Sequence, residues 1–397
     1  MGDTSKHWEI SPFSAAAMAG AINFAPEIRI ADCTLRDGEQ QAGIVLNPDD
    51  KLDIARALSA LGVYEIEAGT PASTKEDRDA VEAIAGAGLT AKVSALARAR
   101  RDDIDEIVAC GCWGVRLSLP ISKIQRDSKS QLSDEAYLSL ALEMSTYAKE
   151  RGLYCVFSPV DTTRCDLAFL QRLLTEFDRR KCVDRVRLVD TTGCATPHVV
   201  RYLVREMKKA SPVPIEIHCH NDFGLAVANT IAGAEAGAEY LSVTMNGIGE
   251  RSGNTALEEV VVALRVLYGV DLGIKTEKLV EVSRLVEERT NLPLQTNKAV
   301  VGSGAFAHES GMVVASLLKN PFTAEAYVPE LVGQQRRIVF GKKTGAASVK
   351  AKLHELGLDA TPDQVMRMVE SVKAQAIRTK RIVDEADFAR MASQIVG

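Results

Sequence analysis

From residue 27 onward the chain alternates between two patterns. Short runs rich in apolar and β-branched residues predict strands at Ile28–Cys33, Val63–Ala68, Ala91–Leu96, Val115–Leu119, Tyr154–Ser158, Val186–Asp190, Ile215–His220 and Tyr240–Thr244. Between them, apolar side chains recur every three or four residues, as at Leu52, Ile54, Ala55, Leu58 and Leu61, or along Ala136–Ala148. That spacing gives a helix one apolar face. Helix starts are marked by Ser133-Asp134-Glu135, ahead of Ala136, and by Thr196-Pro197, where proline suits the first turn.

Eight strands, each followed by a helix, predict an α/β fold, a (β/α)8 TIM barrel. A doubly wound open sheet is the competing arrangement, but no glycine fingerprint follows the first strand. The 397 residues exceed the ~250 that a barrel takes. We therefore expect an N-terminal arm over 1–26, the barrel over 27–275, and a smaller, mainly helical region over 276–397 without a large regulatory domain. In a closed barrel the first and eighth strands are neighbours, and loops at the C-terminal strand ends share one mouth.

Three unusual segments fall at that mouth. Asp32-Cys33-Thr34-Leu35-Arg36-Asp37-Gly38-Glu39-Gln40 follows the first strand, and the seventh ends in His218-Cys219-His220. After the eighth comes Asn246-Gly247-Ile248-Gly249-Glu250-Arg251-Ser252-Gly253-Asn254. Alternation along a strand points His218 and His220 the same way, about 7 Å apart. With Asp37 and the Asn254 carbonyl they make a mixed nitrogen and oxygen donor set for a divalent ion such as Mn, Mg, Zn or Co. An isolated His-x-His would more simply be a hydrogen-bonded pair; convergence of three segments favours the metal. Such an ion can chelate and polarise a 2-oxo acid. Arg36 would then face the developing alkoxide, unless Arg36-Asp37 is only a surface ion pair. The glycines of the last loop let bare backbone approach a phosphate-bearing cosubstrate, or simply make a tight turn. Thr191 and Thr192 at the end of the sixth strand are carboxylate-binding or turn-forming hydroxyls.

A net charge of −5 argues against nucleic acid as partner, and no apolar run approaches the ~20 residues that span a bilayer. Eight scattered cysteines, the closest being Cys110-Gly111-Cys112, lack zinc-knuckle spacing. Without a secretory signal, they predict a reduced, cytoplasmic chain.

Asp32–Gln40, His218–Asp222 and Asn246–Asn254, with Glu65–Gly69, Asp190–Pro197 and Phe306–Gly311, resemble the metal-dependent barrel superfamily of isopropylmalate, homocitrate and citramalate synthases and hydroxymethylglutaryl-CoA lyase. The resemblance runs from about Ile28 to about Val349. It implies Claisen-type condensation of an acyl-CoA, acetyl-CoA first, with a 2-oxo acid; lyase cleavage of a 2-hydroxy or 2-oxo acid is the alternative. It implies Asp37, His218, His220 and Asn254 at the metal, and Arg36, Glu216 and His308 as catalytic candidates. Gln40, Thr191 and Arg116 are then candidates for the oxo acid, and Asn246, Gly247, Gly249 and Gly253 for the acyl-CoA. Relatives form homodimers exchanging their C-terminal regions, so the same is expected here.

The chain also departs from that pattern. Val160 stands at the strand-five glutamate, and Val156 at the arginine that takes the distal carboxylate of 2-oxoglutarate. The second histidine of His-x-x-Gly-Ile-His is Val313, and the tyrosine eleven residues on is Ala324. Neither can move a proton. The valines make the pocket more apolar, which disfavours a second carboxylate on the oxo acid.

Overall fold

A computed structural model describes residues 7–20 and 22–397. Eight parallel strands close into a barrel in chain order: β1 (Arg29–Asp32), β2 (Glu65–Glu67), β3 (Lys92–Arg98), β4 (Gly114–Pro120), β5 (Tyr154–Val160), β6 (Arg185–Asp190), β7 (Ile215–Cys219) and β8 (Tyr240–Val243). β1 and β8 close the ring, with Arg29 opposite Tyr240 and Asp32 opposite Val243. The ends of β7, β8 and β1 therefore lie side by side.

Local chemistry explains where the helices begin. Asn47 and Asp50 form a reciprocal capping box for the helix Pro48–Leu61, whose Pro48 needs no amide partner. Gly62 ends that helix at φ +108°, a backbone angle that disfavours other residues. Ser133 caps Asp134–Glu150 by accepting from the Ala136 amide. Thr196 differs from expectation: its hydroxyl makes no cap bond, and Pro197 alone marks the start of Pro197–Ala210.

The chain divides into two compact units. One runs from Pro12 to Leu294; the other joins residues 7–11 to residues 295–397. The boundary read at 275/276 thus falls inside the barrel unit. The reason is that the helix Leu279–Thr290 packs against Pro48–Leu61. The expected arm is likewise divided, apart from residues 1–6 and 21, which lie outside the described residues. Trp8 bridges to Tyr327 in one unit, whereas the Asn23 amide donates to the Glu235 carbonyl at 2.8 Å in the other.

The second unit is mainly helical, as expected. Gly311–Leu317, Ala346–Glu355, Pro362–Thr379 and Glu385–Ile395 are its helices, and Phe340, Val349, Met368, Val372 and Phe388 build a core. Ala307–His308 pairs in parallel with Arg337–Ile338. In the Gly341–Gly345 turn, a Cβ on Gly345 would press on the Gly311 backbone, so two chain segments cross where only glycines fit. No helix among the described residues is long and apolar enough to cross a membrane.

Candidate metal centre and active site

Side-chain alternation along β7 aims Glu216 and His218 inward, and His220 continues that row just past the strand. His218 Nε2 lies 3.0 Å from Asp37 Oδ2 and 3.4 Å from His220 Nε2. His220 Nε2 is 3.7 Å from the same Asp37 oxygen. Asn254 sets Nδ2 3.0 Å from that oxygen, and its own Oδ1 is buried without a partner among the described residues. Ser242 meets the far nitrogen of His218, Nδ1, at 2.9 Å, which fixes the ring with Nε2 facing the centre.

Charge at the centre suits a cation. Burial alone would raise the Asp37 carboxyl, but Arg36 and the two imidazoles outweigh it and hold it well below the usual range. Burial lowers His218 to about 4 and also lowers His220, so both offer lone pairs at neutral pH. A carboxylate, two neutral imidazoles and an unpartnered amide oxygen fit a hard or borderline divalent ion. Cys33 stands close enough to join the donor set, but its thiol is held against the Val243 carbonyl at 3.4 Å.

Above the centre lies a cavity of about 610 Å³. Arg36, Asp37, Gln40, Thr191, His218 and His220 line it, together with apolar Leu96, Leu119, Val160 and Val189. Arg36 is gripped by Glu67, through Nε at 2.6 Å and a second nitrogen at 3.3 Å, and lies 3.2 Å from Asp37.

The segment 27–286 matches the family model described as HMGL-like, and 300–380 matches the model described as homocitrate synthase post-HMGL domain-like. A homocitrate synthase of Methanothermobacter thermautotrophicus is 43% identical over 98% of both chains. A 2-isopropylmalate synthase of Methanocaldococcus jannaschii is 42% identical over 95% of this chain and 73% of its own length. The chain belongs to the homocitrate, isopropylmalate and citramalate synthase family. It is an enzyme of the acyltransferase class. The hydroxymethylglutaryl-CoA lyase of Bacillus subtilis shares the fold, with a TM-score of 0.62 at 21% identity over 69% of this chain and 97% of that one.

The structure redistributes several residues that the family resemblance had grouped together. Arg116 and Glu216, expected at the substrate and in catalysis, are fully buried beneath the cavity. They pair with each other at 2.7 Å, and neither lines the cavity. From them a chain of ion pairs climbs through Arg187, 2.7 Å from Glu216 and 2.8 Å from Glu67, to Arg36 and Asp37. Arg185 and Glu65 complete its lower end. There they fill and charge-balance the barrel interior.

The glycine loop also acts differently from its expected part. Asn246 is buried, its carboxamide clasping Ser283 through both the hydroxyl at 2.6 Å and the carbonyl at 3.0 Å. The amides of Gly247, Gly253 and Asn254 donate to carbonyls within the loop and its flank, and that of Gly249 donates to Gln41. None of these is left to hold a phosphate. The glycines instead fold the loop around Asn254: a Cβ at Gly249 would collide with the Asn254 side chain, and one at Gly253 with the Gly247 carbonyl.

Thr191 and Gln40 do line the cavity. Thr191 accepts from the Asp161 amide at 2.8 Å and keeps a hydroxyl hydrogen to donate. Reading the sequence missed three residues of this site: Glu67, which aims Arg36; Ser242, which aims His218; and Ser158, whose buried, unpartnered hydroxyl faces the cavity. Strand alternation from His218 and Val160 would have flagged Ser158. Val156, on the same face of β5, lies deeper and does not reach the cavity.

His308 belongs to the second unit. Its Nε2 lies 3.0 Å from Glu325, whose carboxylate is also held by Arg336. Val313 is part-exposed on the helix Gly311–Leu317, and Ala324 follows the short turn Pro321–Thr323.

Proposed function

We propose that this protein condenses an acyl-CoA, acetyl-CoA in the first instance, with a 2-oxo acid at a divalent metal held by Asp37, His218, His220 and Asn254. The coarser statement, acyl-CoA and 2-oxo acid condensation in general, has the support of relatives named as homocitrate, isopropylmalate and citramalate synthases. The observation that carries the assignment here is the meeting of Asp37, His218 and His220 within 3.0–3.7 Å on the floor of a cavity that also presents Arg36.

Each residue then has a physical task. A bound divalent ion would supply Lewis acidity toward the oxo acid's carboxylate and ketone. Arg36, fixed by Glu67, stabilises negative charge growing on the ketone oxygen without having to reorganise. Thr191 and Ser158 donate hydrogen bonds to the oxo acid's carboxylate, with Gln40 beside them. Leu96, Leu119, Val160 and Val189 pack the substrate's side chain and disfavour a second carboxylate at their depth. The acting assembly is a cytoplasmic homodimer, in which Met312, 84% exposed, and Leu318, 53% exposed, meet the partner subunit.

Thiol release from acetyl-CoA with a panel of 2-oxo acids tests this, using enzyme supplied in turn with Mn, Mg, Zn and Co. Monocarboxylic 2-oxo acids with short apolar side chains should give the highest kcat/KM. A clear preference for 2-oxoglutarate refutes the specificity. Oxo-acid release from hydroxy acids without CoA would put the lyase reaction in its place.

A further inference from the structure

Three loops at the barrel mouth meet at one guanidinium. Arg251, in the loop after β8, sits at φ +60°, a backbone angle that few side chains adopt. Its Nε lies 2.8 Å from Asp222 Oδ1 and a terminal nitrogen 2.9 Å from Asp222 Oδ2, a two-pronged grip on the carboxylate. The same terminal nitrogen donates to the Thr191 carbonyl at 2.8 Å. The turn after β6 comes so close that a Cβ on Gly193 would strike the Asp222 carboxylate. Asp222 follows β7, so the loops after β6, β7 and β8 share one ion pair.

Thr191 is also held from its other side. Asp161, just past β5, is fully buried and stands at φ +67°. Its amide donates to Thr191 Oγ1 at 2.8 Å. Its carboxylate is anchored twice: Arg164 Nε lies 2.8 and 3.0 Å from the two oxygens, and the Ser122 hydroxyl donates to one of them. The Ser122 oxygen itself accepts from the Gln125 amide, which leaves its hydrogen for Asp161. These anchors hold the left-handed backbone at Asp161 in place.

The consequence for Thr191 follows from counting hydrogens. A hydroxyl oxygen has one hydrogen and two lone pairs. The Asp161 amide takes a lone pair and cannot accept the hydrogen. With its carbonyl tied to Arg251 and its side-chain oxygen tied to Asp161, Thr191 is fixed in both backbone and side chain. Thr191 lines the cavity, whereas Asp161, Asp222 and Arg251 do not. The hydroxyl hydrogen is therefore left for an acceptor inside the cavity.

We propose that Asp161 and Arg251 are positioning residues for the oxo acid: by fixing Thr191 from both sides, they commit its hydroxyl to the substrate carboxylate. The inference rests on the condensation reading above. Neither residue touches substrate; each acts through Thr191.

The test measures Kd by calorimetry, without CoA, for pyruvate, 2-oxobutanoate, 2-oxoisovalerate and 2-oxoglutarate on full-length, Mn-loaded enzyme, then kcat by thiol release with the tightest. Thr191→Val, which removes the hydroxyl, should weaken binding about 10- to 100-fold. Asp161→Ala and Arg251→Gln should each weaken it roughly 5- to 20-fold, with bound metal unchanged and kcat within about 3-fold of wild type. Asp161→Asn tolerates the left-handed backbone and still accepts from Ser122 and Arg164, so it should recover most of the affinity. In a Thr191→Val background, Asp161→Ala and Arg251→Gln should change Kd by less than about 2-fold, because the group they position is gone. A merely structural role would lower the melting temperature in either background without this loss of additivity. Wild-type Kd in both single variants, or additive effects in the double ones, overturns the inference. So does loss of metal from Arg251→Gln, which would put its effect at His220, two residues before Asp222. If the wild type binds an oxo acid but releases no thiol, condensation falls and the Kd series still decides for or against Asp161 and Arg251. Absence of binding of all four acids by the wild type overturns both.

Discussion

The two units hold charge in opposite ways. In the barrel, Arg36, Arg116, Arg185 and Arg187 are matched by Asp37, Glu65, Glu67 and Glu216 in one buried series, four cations to four carboxylates. Barrel interiors are ordinarily filled by branched aliphatic side chains. Here the filling is ionic, so each charge depends on its neighbours for compensation and none is free to move. In the second unit one carboxylate, Glu325, lies between an imidazole and a guanidinium whose side chain is 29% exposed. The barrel arrangement suits holding a fixed cation; the smaller cluster pins a single imidazole and a single guanidinium to one carboxylate.

That contrast can be broken at its most sensitive point first. Asp37→Ala removes the oxygen shared by both imidazoles, and activity should fall by more than about 10³-fold as bound metal, counted by mass spectrometry, disappears. Arg36→Lys should lower kcat by roughly 10²- to 10³-fold with metal content intact, because a point charge cannot keep the two-pronged grip on Glu67. Glu216→Gln leaves Arg116 and Arg187 undercompensated in a dry interior, at a cost of about 3–5 kcal/mol in urea unfolding. Glu325→Gln should cost less than that, since Arg336 can reach water. Ser242→Ala frees the far nitrogen of His218, and metal affinity should weaken about 10- to 100-fold in a competition titration.

The smallest effect is on pH. Burial lowers His218 to about 4 and lowers His220 below its ordinary 6.5, so the unfolded chain binds protons that the folded one refuses. Their stability contribution is complete above about pH 6.5 and is lost as pH falls toward about 4. In metal-free protein the slope should reach up to about 1.4 kcal/mol per pH unit for each ring. His218→Gln should flatten the urea midpoint over that window; an unchanged slope would show that the rings are not the cause.

Much of this was legible in the chain. Apolar runs placed every barrel strand within a few residues, because even the strands with ionic inward rows keep a buried apolar row on the other face, such as Ile66 of β2, Val186 and Leu188 of β6, and Ile215 and Ile217 of β7. Closure then follows from the count of strand–helix units, and it brings Asp37, His218, His220 and Asn254 together. Arg116 and Glu216 were misplaced because alternation tells which face a residue takes but not its depth along the barrel axis. Asn246 and the loop glycines misled for a related reason. A glycine's freedom is visible in sequence, whereas what its backbone approaches is not.

By itself, the sequence determined the barrel and the converging donor set, since residue type and period suffice for these; Val313 and Ala324 stand out only against the pattern of the family it resembles. Tertiary structure decided which charges face solvent and which face each other. It turned Arg116 and Glu216 into interior ballast, bent the glycine loop around Asn254, and set Glu325 and Arg336 beside His308. Pairings between residues far apart in the chain leave no periodic trace, and only packing, through burial and distance, fixes them.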